Sequence, residues 1–61
     1  MLKPGQLYKR LNKDGKEMLF PFGYPVAIFI EIVPSGFLRF ALGNKKECII
    51  NPEVSDFREA K

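Results

Sequence analysis

The sequence predicts an all-β chain, with five short antiparallel strands curled into one small barrel that takes up residues 1–61 as a single domain. Three observations carry that prediction. Turn residues recur at short, regular spacing: Asn12-Lys13-Asp14-Gly15, Val33-Pro34-Ser35-Gly36 and Gly43-Asn44. The segments between them are rich in β-branched and aromatic residues, above all the eight residues 26–33, a strand's length rather than a helix's. In Phe37-Leu38-Arg39-Phe40-Ala41-Leu42, apolar Leu38, Phe40 and Leu42 alternate against Arg39, the period of a half-buried strand.

Taken in order, Asn12 at the first turn position and Gly15 at the fourth close a hairpin between residues 6–11 and 16–20. Pro21-Phe22-Gly23-Tyr24-Pro25 is a loop, because each proline holds its predecessor extended. Val33-Pro34-Ser35-Gly36 joins strand 26–33 to strand 37–42, with proline setting φ and glycine accepting a positive one. Gly43-Asn44 then turns into a strand near residues 46–50. Asn51 followed by Pro52 is a helix-start signal, so one helical or 3₁₀ turn is expected near the C-terminus, with Val54 and Phe57 tucked onto the barrel. The expected core is Leu7, Leu19, Ile28, Ile30, Ile32, Leu38, Phe40, Leu42, Ile49, Val54 and Phe57. The opposite face of strand 26–33 holds Ala27, Phe29 and Val33 and is apolar except for Glu31, so both faces are expected to be covered, by the curl of a barrel or by a partner.

This order, a long first hairpin, a meander, a tight turn, a short helical turn and a final stub, resembles that of SH3-like small barrels. The resemblance implies a fold and no function. The aromatic groove of proline-peptide-binding SH3 domains contains tryptophan, and this chain has none.

The chemistry available argues against an enzyme. No histidine is present, which removes the commonest general base and the commonest metal ligand. Ser35 and Ser55 sit in turn segments, where local hydrogen bonding accounts for them. The single cysteine, Cys48, rules out an intrachain disulfide and a cysteine-based zinc site, and its apolar neighbours Ile49 and Ile50 mark it as a core residue. Glu53, Asp56 and Glu59 lack the further oxygen ligands of a divalent-cation site. The five glycines fall about one to a turn and form no phosphate cradle. No cofactor and no metal are expected. The opening residues Met1-Leu2-Lys3-Pro4-Gly5 do not read as a signal peptide, and the longest apolar run is too short to cross a bilayer, so a cytoplasmic setting is expected.

Binding is what remains. A chain of 61 residues buries a marginal core, so association, including a homodimer, is expected. The leading expectation is a small regulatory or accessory module, an inhibitor or adaptor, that takes a partner protein through Phe22, Tyr24 and Phe29. The alternative is single-stranded RNA or DNA. The net charge is +3, and Lys3, Lys9, Arg10, Lys13 and Lys16 face only Asp14 and Glu17 in the first twenty residues, whereas Glu47, Glu53, Asp56 and Glu59 make the end acidic. Tyr8, Lys9, Arg10, Lys13 and Lys16, joined by Arg39, Lys45 and Lys46, are the residues of such a surface.

Overall fold

In the computed structural model, which describes residues 2–60, the chain is all-β: an antiparallel sheet curled into a half-barrel. The strands are β1 (Leu7–Leu11), β2 (Glu17–Met18), β3 (Ala27–Ile32), β4 (Leu38–Ala41), β5 (Glu47–Ile50) and β6 (Asp56–Glu59). β1 organises the sheet. Tyr8 to Leu11 pair with β6, while Arg10 and Leu11 also pair with β2, and Leu7 and Tyr8 with β3. β4 and β5 extend the sheet beyond β3. Strands β5 and β6 pair with one neighbour each, which leaves the barrel open between them.

The turns form where their residues demand. Asn12 closes the first hairpin, its Oδ1 accepting from the N–H groups of Asp14 and Lys16, with Gly15 at φ 84°. Gly36, at φ 90°, donates to the Val33 carbonyl in the second. The third turn lies one residue later than the sequence suggests. Asn44 and Lys45 are its two central residues, both at positive φ, the geometry whose twist matches a hairpin.

The core is built around Phe40, which is 0% exposed. The rings of Phe57, Phe20 and Phe29 lie 5.0, 5.1 and 5.6 Å from it, centroid to centroid. Each such pair contributes about 0.5–1.5 kcal/mol beyond the area it buries. Tyr8, Ala27, Leu38 and Ile50 complete the buried set, with Leu42 and Phe57 packed against it.

Several expectations are corrected. Among the described residues the strands number six, because the predicted helical turn near the C-terminus is a plain turn that runs into β6. Asn51 Oδ1 accepts from the Glu53 N–H and the Asn51 carbonyl from the Val54 N–H, after which residues 56–59 pair with β1. Continuing as a helix would forfeit that ladder. The 3₁₀ turn is instead at Pro21–Gly23. Val54 is exposed, as are Leu19, Ile28, Ile32 and Ile49, whereas Leu7 and Ile30 are half-buried. Their neighbours Phe20, Ala27, Phe29 and Ile50 point inward. In β3 the face is chosen by pairing Phe29 with Phe40, and the larger number of β-branched residues on the other face does not override it. A bulge at Ile30 then shifts the alternation, so that Ile32 points back to the concave side across from Leu38.

Replacing Phe40 with alanine is expected to cost about 3–5 kcal/mol in urea unfolding, on the scale of the whole stability of a domain this small. Ile28→Thr, on the outer face, is expected to cost less than about 1 kcal/mol.

Candidate partner-binding surface

Residues 20–24 form a knuckle that projects an aromatic ring. Phe20 anchors it from below, fully buried, donating its N–H to the Tyr24 carbonyl at 2.7 Å and accepting from the Gly23 N–H at 3.1 Å. Between these bonds the backbone turns sharply, and Phe22 is held at φ 65°, ψ 9°. That left-handed conformation is uncommon for a bulky residue and costs on the order of 1–3 kcal/mol. Its side chain is 70% exposed, so little burial offsets the strain. The Lys46 ammonium stands 4.7 Å from the centre of the ring, a cation–π contact that fixes its face.

Tyr24 behaves differently. It is half-buried against the core, and its ring lies across Gly43, where a Cβ would come within 2.8 Å of Tyr24 Cε1. Its hydroxyl lies 3.5 Å from Asn44 Nδ2, a weak bond at best. The loop and the β4–β5 turn thus form one surface of Phe22, Tyr24, Asn44 and Lys46. Phe29, expected beside Phe22 and Tyr24, is instead 3% exposed and belongs to the core.

The basic hairpin does not form the continuous patch its composition suggests. Tyr8 is buried, with its hydroxyl accepting from the Lys3 backbone N–H at 2.8 Å, so it offers no stacking platform. Lys9 sits opposite Arg58, and both reach Glu17 Oε2, at 3.4 and 2.8 Å. Lys13 pairs with Asp56 at 3.1 Å. Arg10 turns inward, donating to the buried Ser55 hydroxyl at 2.9 Å and to the Leu19 carbonyl. Arg39 bridges Glu47 and Glu31, at 2.6 and 2.9 Å, and hydrogen bonds to Glu47 and then Glu31 push its pKa above the ordinary value. Among the described residues, Arg10, Lys16, Lys45 and Lys46 of the expected set carry no ion pair, Arg10 being held by hydrogen bonds instead. Of these, Lys46 lies against Phe22, and Lys45 precedes it in the β4–β5 turn, away from the first hairpin.

Sequence alternation missed a second feature. An apolar cleft of about 330 Å³ opens on the concave side, floored by Phe29, Leu38 and Phe57 and rimmed by Leu2, Ile32 and Pro52. It exists because the bulge turns Ile32 inward where no strand covers it. Among the described residues, no group of His, Cys, Asp and Glu is placed to hold a metal ion, and no helix is long and apolar enough to cross a membrane.

Cys48 lies opposite Phe40 on the inner side of β5, half-buried. Burial pushes its thiol pKa up, and the nearby Arg10 charge offsets this only in part. Less thiolate is present at neutral pH, so alkylation by iodoacetamide is expected to be slower than for free cysteine and to reach half its maximal rate at a higher pH. Gly43→Ala is expected to push the Tyr24 ring aside, visible as shifts of the Tyr24 and Phe22 aromatic proton resonances. Compared with known proteins, the chain matches no family model, no curated protein and no solved structure.

Proposed function

We propose that this chain is a non-catalytic binding module, a small regulatory protein of the inhibitor or adaptor kind, that takes a partner protein on the surface made by Phe22, Tyr24 and Lys46. The observation that carries this reading is Phe22: a large apolar ring, strained in backbone and, at 70%, more exposed than any other large apolar residue described. A ring needed only to close the barrel would be buried, as Tyr24 partly is. Exposed aromatics with a clustered charge are the usual anchors of protein interfaces. Lys46 beside it favours a partner that presents an apolar side chain next to a carboxylate.

The SH3-like reading of the fold belongs with this proposal. The spatial order β6-β1-β3-β4-β5, with β1 and β2 joined as a hairpin before β3, supports it. The peptide groove of that class is not carried across, since it relies on tryptophan.

A second reading has one observation in its favour. Phe22 with Lys46 against its ring, and Lys45 next to it in the chain, is also an arrangement on which an exposed base could stack, which would move a single-stranded RNA or DNA surface from the first hairpin to the loop end.

The test uses Phe22→Gly. Glycine accepts the left-handed backbone, so thermal stability is expected to stay unchanged or rise. Affinity for a partner captured by the unaltered chain, and titrated in purified form, is expected to fall by about thirtyfold or more, the loss typical of a central anchor. Equal affinity for both proteins would remove the knuckle from the site. Fluorescence anisotropy against single-stranded RNA and DNA separates the second reading. Binding that weakens steeply with salt and is lost in Lys45→Gln/Lys46→Gln would favour nucleic acid.

A further inference from the structure

The two open edges of the half-barrel are unlike one another. The last strand, β6, carries Asp56, Arg58 and Glu59 within four residues, the charged edge by which proteins discourage pairing. β5 reads Glu47-Cys48-Ile49-Ile50, and its one charge is held sideways by Arg39. Ile49 is 50% exposed on that edge strand.

We propose that the free edge of β5 pairs antiparallel with β5 of a second copy of this chain, about a two-fold axis at Ile49. The hydrogen-bond pattern is already set for it. The Leu42 N–H donates to the Lys46 carbonyl at 2.8 Å, so the pairs that exchange bonds within the hairpin are Phe40 with Cys48 and Leu38 with Ile50. The backbone groups of Glu47 and Ile49 therefore point away from β4, toward the open edge. An axis at Ile49 sets Ile49 against its own counterpart, so their outward groups meet one another, and sets the Glu47 carbonyl against the Asn51 N–H; the Asn51 carbonyl already accepts from Val54 within its own turn. Pro52, which has no N–H to give, falls opposite Lys46, at a position that requires no bond.

Side chains agree with this register. The two Ile49 residues meet on the outer face and cover each other's apolar surface. At either end the turn that holds Lys45 in one copy approaches the turn that holds Glu53 in the other, two exposed charges that have no ion pair among the described residues. Sliding the copies to set Cys48 against Cys48 would place Glu47 opposite Ile49 and lose both advantages. An isologous interface of this kind is self-complementary and closes at two copies. It also supplies burial that a 61-residue chain lacks.

Sedimentation equilibrium over a concentration series, with circular dichroism to confirm folding, tests the proposal. A reversible dimer is expected. Ile49→Lys, which sets two like charges face to face, is expected to weaken it by about tenfold or more. Lys45→Glu is expected to weaken it as well, and adding Glu53→Lys to restore it, a rescue that loss of fold cannot mimic. In a mixed sample of isotope-labelled and unlabelled chains, intermolecular contacts are expected between Ile49 residues. A monomer at every concentration overturns the proposal, as does a dimer insensitive to Ile49→Lys and to the charge exchange, or one whose intermolecular contacts fall on β6. Phe22→Gly is expected to leave the dimer unchanged, so the outcome is independent of the partner surface.

Discussion

Phe40 is in contact with the rings of Phe20, Phe29 and Phe57, which arrive from the loop after β2, from β3 and from β6. Segments far apart in the chain have to curl toward one another to reach it, and that curl is the half-barrel. The inward position of Phe29 follows from its pairing with Phe40, and Ile28 is thereby turned outward. A bulge at Ile30 lets β3 bend around the same ring, and its effect is to aim Ile32 at the concave side. The apolar cleft is therefore a product of the packing that makes the core, bounded by β3, β4, β6 and the turn at Pro52.

Electrostatics follow from the same pairing. Bringing β6 against β1 sets Lys9 beside Arg58, and Glu17 reaches in from β2 to bridge the two, offsetting one of their two charges. Arg39 on β4 is bracketed by Glu31 and Glu47 from its two neighbours. These exposed ion pairs add little stability. Their larger effect is to tie Lys9 and Lys13 of the hairpin to carboxylates, while Arg10 is drawn into hydrogen bonds and Lys16, Lys45 and Lys46 stay unpaired among the described residues. The surface suggested by composition is thereby dispersed, and a smaller one, around Phe22, is left.

Much of the fold was legible. The three turns were marked by residues whose preferences are local: Asn12 capping its own turn, Gly15 and Gly36 taking positive φ, Asn44 tolerating it. Leu38 and Phe40 were placed inward because Arg39 between them marked the opposite, polar side of the alternation. Where both faces of a strand were apolar, as in β3, or a turn could shift the phase by one residue, as at Leu19–Phe20 and Ile49–Ile50, period alone did not choose a side. At the candidate site, Phe22 and Tyr24 were identified from their proline-bracketed loop. Phe29 was misplaced with the rest of its strand, and Lys46 was assigned to a surface it does not join.

The amino-acid sequence by itself determined the class of this protein, since turn chemistry and β-branched runs act over a few residues and need no distant partner. It also determined what chemistry is within reach, because a chain with no histidine and one cysteine carries those limits into any fold. Only the tertiary structure decided which face of each strand is core, which charges cancel, that residues 56–59 form a strand, and that Phe22 stays in water while Tyr24 does not. Each of these is set by pairing between residues distant in the chain, whose energy appears only once the sheet has closed around Phe40.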